Sequence, residues 1–209
     1  MNRKKVYLYV FNTMSDWEIG YLTAELNSGR YFKKGLQPLI VITIGRDRNP
    51  ITTMGGLKVI PEISFEECNL ETTDVLILPG GFTWTESIHD TVLEKAEKAL
   101  TQGTIIAAIC GATIGLAKKG LLDSRSHTSN DLEFLKMIAP NYAGEKYYKF
   151  QSSVIDENLI TASGIAPLEF TMEVLKILDV LKPETLQSWY NVYKTQEPKC
   201  FFELMDSIK

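Results

Sequence analysis

The chain has 209 residues, 44% of them hydrophobic, which is enough for one well-filled core and points to one domain spanning 1–209. A formal charge of −4, a pI near 5.3 and no concentrated Lys/Arg stripe exclude the electrostatic footprint that holds a phosphate backbone, so nucleic acid is not an expected partner. No apolar run approaches membrane-spanning length, and the one at Val6 to Phe11 is too short for a secretion signal; a cytoplasmic protein with no membrane contact is the simplest expectation.

Five runs rich in Val, Ile and Leu are continuously apolar rather than alternating: VYLYVF (6–11), LIVITI (39–44), DVLILP (74–79), TIIAAI (104–109) and NLITAS (158–163). That pattern suits strands buried on both faces of a parallel sheet. Helical stretches lie between most of them, so the alternation predicts a three-layer α/β sandwich, flavodoxin-like, with right-handed crossovers. Open sheets of this kind bind ligands outside the carboxyl ends of the strands, which directs the reading to each strand exit.

After the first run comes SDWE, then a helical stretch over 16–32. Ser15 to Glu18 fits a capping box, in which the Glu18 carboxyl returns to the Ser15 N–H. Alternatively Glu18 lies on the carboxyl edge near the fourth run, which a doubly wound sheet can place beside the first. A carboxyl beside a thiolate has its own pKa raised by like-charge repulsion and burial. After the second run, ITTMGGLKVIPEI (51–63) carries Gly-Gly between β-branched residues and reads as a hairpin beside the sheet. Cys68 follows in a polar loop.

The third run exits into LPGGFTW (78–84). Gly80 and Gly81 free backbone N–H groups to face a carbonyl oxygen, as an oxyanion hole needs, or form an ordinary turn. Trp84 walls the same pocket or simply packs. His89, near the start of the helix over 91–103, reads as solvated or capping.

The fourth run exits into Cys110, with Ala108, Gly111, Ala112 and Gly115 around it. Such small residues permit the sharp strand-to-helix turn of a nucleophile elbow and close packing of the following helix. At a helix N-terminus the thiol feels the positive end of the peptide dipoles, so its pKa is expected to fall. The competing reading is a buried structural cysteine at the end of a core strand. In the extended SRSHTSND (124–131), His127 and Ser129 share a face opposite Thr128. His127 is the base candidate and Ser129 a pocket residue.

YYKFQSSVIDENLITAS (147–163) reads as extended strands around an Asp-Glu-Asn turn, an antiparallel patch at one edge. A helix follows over 167–181, and Pro183 opens a tail, 183–209, of two short amphipathic helices split at Pro198. Its aromatic residues require it to dock on the domain or on a partner subunit, with Cys200 as packing. Three cysteines without a CxxC pair and two histidines without zinc-ligand spacing leave no expected disulfide, metal or cofactor.

SDWE, DVLILPGG, IIAAICGAT, GLLDSR and TASGIAPLEFTMEVL together resemble the ThiJ/PfpI superfamily, which has the class I glutamine-amidotransferase-like fold. The resemblance implies a cytoplasmic, often dimeric protein with Cys110 as nucleophile or oxidation site, Glu18 as its carboxyl partner, and Gly81 with Gly111 as backbone donors. Protease-like members carry a histidine directly after the elbow cysteine, where this chain has Gly111, so peptidase chemistry is not expected. Amidotransferase members use a histidine and a glutamate near the chain end; TASGIAPLEF offers no histidine. In other members a histidine follows the strand after GLL, and lining up the threonine puts Ser129 or Asn130 at that place. Three functions compete: a cysteine-dependent hydrolase or lyase for a small carbonyl or amide compound, of glyoxalase, deglycase or amidase type; a redox sensor oxidised at Cys110; and a glutaminase-like interaction module without its triad.

Overall fold

The computed structural model describes residues 4–209. In chain order its strands are β1 (Val6–Tyr9), β2 (Val41–Gly45), β3 (Ile51–Thr52), β4 (Lys58–Val59), β5 (Ile63–Ser64), β6 (Val75–Leu78), β7 (Ile105–Ile109), β8 (Ser153–Asp156) and β9 (Leu159–Ala162). The helices are α1 (Gly20–Ser28), α2 (Asp90–Thr101), α3 (Gly111–Lys118), α4 (Leu132–Ile138), α5 (Pro167–Leu178), α6 (Pro183–Thr195) and α7 (Pro198–Ser207).

Seven strands form the main sheet in the order β5-β2-β1-β6-β7-β9-β8, all pairs parallel except β8 with β9. Every residue of β1, β6 and β9 is buried, as continuous apolar runs covered on both faces require. Each buried Val, Leu or Ile contributes about 1.5–3 kcal/mol of transfer free energy, so these strands are the thermodynamic centre of the fold. The Asp-Glu-Asn turn forms with Glu157 at φ 53° and lays β8 along the edge as the antiparallel patch.

Three differences from the sequence reading matter. The first and fourth runs are not adjacent: β6 lies between β1 and β7, so anything joining their exits must reach across the β6 exit. The hairpin is only β3 with β4, because Ile63–Ser64 leaves it to pair with β2 at the sheet edge. Helix α4 was not anticipated; it is seven residues long and is started by Asp131, whose carboxylate accepts the Phe134 N–H at 2.8 Å.

The tail docks within the chain. Helix α6 packs on α5 and α7 on α6. The Trp189 indole is fully buried and donates to the buried carboxylate of Glu25 on α1 at 3.0 Å. Arg30 forms an ion pair with that same carboxylate and donates to Tyr193 at 3.1 Å. Cys200 is buried in α7, as packing requires. Cys68, read as a loop residue in a polar setting, is buried too; its apolar surroundings push its thiol up to about 11.

Candidate active site

Cys110 sits between β7 and α3 with φ 58° and ψ −123°, a backbone state that a side chain makes costly, by about 1–3 kcal/mol. Three hydrogen bonds hold it there. Its N–H donates to Ala162 at 2.9 Å, and its carbonyl accepts the Thr113 N–H at 3.1 Å and hydroxyl at 2.6 Å. The hydrogen on Thr113 being committed, Ser129 donates to Thr113 at 2.7 Å. Ser129 therefore braces the elbow from behind and is not a pocket residue, the first correction to the site as read from sequence.

The small residues have a specific cause. A side chain at position 111 would come within 2.9 Å of both the Gly81 carbonyl oxygen and the Trp84 ring. Trp84 is buried, donates its indole N–H to Pro79 at 2.9 Å, and packs beneath α3, so it braces the elbow from the core side. His89 stacks on it at 4.3 Å between ring centroids. The reading of His89 as solvated or capping fails: the ring is buried, with Tyr9 at 2.8 Å and Thr83 at 2.9 Å on its two nitrogens.

Glu18 is fully buried and does not cap α1, which begins at Gly20 without any side-chain cap. Its Oε2 instead accepts the Gly80 N–H at 2.5 Å. Oε1 is buried with no hydrogen-bond partner among the described residues. The carboxyl lies against the cysteine, and Gly164 leaves room for the pair: a side chain there would meet Sγ at 2.6 Å and Oε1 at 3.3 Å. Trp17 covers the same corner, donating its indole N–H to the Gly164 carbonyl at 3.3 Å.

Electrostatically the pair differs from expectation. Burial pushes the Cys110 thiol up to about 11, the charge of Glu18 adds to the rise, and hydrogen bonds from Asn130 and the Gly111 N–H oppose it. The expected lowering by the helix fails because α3 is short and the sulfur is half-buried, so desolvation outweighs the dipole. Burial likewise raises the Glu18 carboxyl above its ordinary range, against the pull of hydrogen bonds with the Gly80 N–H, Cys110 and Ser15. An ionised Glu18 opposes ionisation of the thiol, so the two groups titrate as a pair. With Oε2 accepting the Gly80 N–H, Oε1 is the carboxyl oxygen left open to a proton.

His127 does not join them. It is fully buried, its Nδ1 lies 2.7 Å from the Arg125 carbonyl and its Nε2 2.6 Å from the Tyr142 hydroxyl, and burial lowers its pKa. A neutral ring donating from Nδ1 and accepting at Nε2 satisfies both contacts, which leaves no lone pair for the thiol. Asn130 takes the place beside the sulfur, with Nδ2 at 3.3 Å from Sγ. The threonine alignment left Ser129 or Asn130 for this place, and the structure puts Asn130 there; Gly164 and Trp17 carried no signal, since their roles come from the β9 exit folding over the elbow.

Gly81 forms an isolated antiparallel bridge with Met14, which fixes its backbone beside Gly111. Among the described residues no three His, Cys, Asp or Glu side chains cluster as metal ligands, and no helix is long and apolar enough to cross a membrane.

A family model described as DJ-1/PfpI family matches residues 4–177. A Bacillus subtilis (strain 168) protein named "Uncharacterized protease YoaZ" is 61% identical over 208 residues, covering 100% of this chain and 99% of that one. "Glutathione-independent glyoxalase DJR-1.2" of Caenorhabditis elegans is 25% identical over 150 residues, covering 69% of this chain and 75% of its own. The crystal structure of the thiJ/pfpI family protein from Bacillus anthracis superposes with a TM-score of 0.97 at 63% identity, covering 100% of this chain and 98% of that chain.

Proposed function

The chain belongs to the DJ-1/PfpI family, and from that premise we propose that it is a cysteine-dependent hydrolase or lyase acting on a small carbonyl compound, with Cys110 as nucleophile and Glu18 as proton carrier. The observation that carries this reading is the strained elbow thiol lying against a buried carboxyl with one unpartnered oxygen. In addition to a carbonyl, the Sγ–C bond forms while the C=O π pair moves to oxygen. Glu18 gives its proton to that oxygen and takes the one leaving sulfur, so the proton count is unchanged. The Gly81 and Gly111 N–H groups flank the oxygen as it gains charge.

With an α-oxoaldehyde, the adduct's C–H proton then passes through Glu18 to the neighbouring carbon while the adduct's hydroxyl proton moves to the oxygen on that carbon, so the first carbon becomes the carbonyl and the second the alcohol. The resulting thioester is cut by water to the 2-hydroxy acid and free thiol. A single proton carrier suffices for these steps, as the glyoxalase name of the Caenorhabditis relative also fits. Peptide cleavage asks for more, because the leaving nitrogen must be protonated beside a second base. The position for that base, 111, is closed to any side chain, and His127 is committed elsewhere. The protein works in this reading as a cytoplasmic homodimer without a cofactor, and exposed Trp17 and Ile165 near the thiol supply apolar surface for a subunit contact.

Turnover of methylglyoxal and of small amides by wild type and Cys110→Ser tests the assignment. Loss of methylglyoxal turnover in the variant is the expected result; undiminished turnover refutes it. Oxidation sensing is the second reading, favoured by the free Glu18 Oε1, whose proton can be donated to an oxygen added at sulfur. It fails if peroxide oxidises Cys68 or Cys200 before Cys110.

A further inference from the structure

Asn130 has no part in the chemistry described so far, yet it is tied to the sulfur from one side and to the β9 exit from the other. Its Oδ1 accepts the Gly164 N–H at 2.8 Å and the Ser163 hydroxyl at 3.4 Å. A backbone N–H can only donate, so the atom facing Gly164 must be the amide oxygen, which settles the amide's orientation. The NH2 group is thereby left facing Cys110 Sγ at 3.3 Å. Such an arrangement cannot turn round without leaving the buried Gly164 donor unpaired, at a cost of about 1–3 kcal/mol.

From this geometry we infer that Asn130 is a positioning residue whose locked amide donates a hydrogen bond to Cys110 Sγ and so favours the thiolate. An amide nitrogen has no basic lone pair, so Asn130 stabilises negative sulfur but takes no proton from it. Proton traffic at the thiol is thereby confined to Glu18, the one titratable side chain placed against the sulfur on the described residues. The inference rests on the reading of Cys110 as the reacting group, and it names how that group is tuned.

The test is the pH dependence of Cys110 alkylation by iodoacetamide in the full chain, resolved by peptide mass spectrometry, for wild type, Asn130→Leu and Ser163→Ala. Leucine has a similar size, adds no charge and removes the donor. Ser163→Ala removes a contact to the amide oxygen without touching the donor. In Asn130→Leu the midpoint is expected to rise by about one pH unit, slowing alkylation about tenfold at fixed pH. Ser163→Ala is expected to leave the midpoint in place. An unmoved midpoint in Asn130→Leu overturns the inference, and so does an equal rise in Ser163→Ala, which would assign the effect to the turn at 163–164. If Asn130→Leu does not fold, Asn130→Ala is read by the same criteria. None of these readings uses turnover, so a Cys110→Ser enzyme that still consumed methylglyoxal would defeat the proposed function alone.

Discussion

The Glu18 carboxyl lies against the Cys110 thiol with one oxygen held by the Gly80 N–H at 2.5 Å and the other without a hydrogen-bond partner among the described residues. Burial raises both acids, and Glu18 makes ionisation of the thiol harder still, whereas the hydrogen bond from the thiol favours the carboxylate form of Glu18. The arrangement separates two properties that usually change together, acidity of the thiol and catalytic competence.

Glu18→Gln keeps the shape and removes the group that titrates, so the thiol no longer ionises beside a second acid. Because the Glu18 charge raises the thiol, its removal should move the Cys110 titration downward, read as thiolate absorbance against pH. Turnover should fall by about 10²–10⁴-fold, the usual contribution of a positioned acid–base group. A variant with full turnover would remove Glu18 from the mechanism.

Acid sensitivity should arise from His89. Its folded pKa is lowered to about 4 from an ordinary 6.5, chiefly by burial. A lowered histidine is neutral when folded and charged when unfolded between those two values, so its contribution is present above about 6.5 and lost as pH falls towards 4. At about 1.4 kcal/mol per unit, the loss amounts to about 3 kcal/mol. Burial lowers His127 as well, adding a slope of the same sign. Urea unfolding of wild type and His89→Gln at pH 7 and pH 4.5 should show a smaller pH dependence in the variant.

Trp189→Phe keeps an aromatic ring in the α6 interface but removes the donor to Glu25. A buried carboxylate oxygen losing a partner costs about 1–3 kcal/mol, which a lower urea midpoint would report. Methylglyoxal turnover of the folded variant should be unchanged, since nothing in the α6 contact touches the thiol.

The sheet was legible because strands buried on both faces need no partner to declare themselves: VYLYVF, DVLILP and TIIAAI are apolar whatever lies beside them. The elbow was equally local, since strain at Cys110 calls for small neighbours in the same stretch. What escaped was set across the chain. Whether Glu18 caps its own helix or meets Gly80 depends on the β6 exit, and β6 was not placed between β1 and β7. Alternation in SRSHTSND put His127 and Ser129 on one face, but it could not say that Tyr142 would engage the histidine and Thr113 the serine, leaving Asn130 at the sulfur. The sign of the thiol shift was missed for a related reason. A helix end is visible in sequence, whereas the depth of burial that outweighs it comes from segments distant in the chain, the β9 exit at Gly164 and the Glu18 carboxyl among them.

The docking of α6 has a consequence for how the protein is made. During translation, Glu25 leaves the ribosome long before the Trp189 indole that donates to it, and in the interval the face of α1 and α5 that α6 covers stands open. A nascent chain stalled before residue 183 should therefore bind holding chaperones and be cut readily by proteases, while release of the last two helices should end both vulnerabilities.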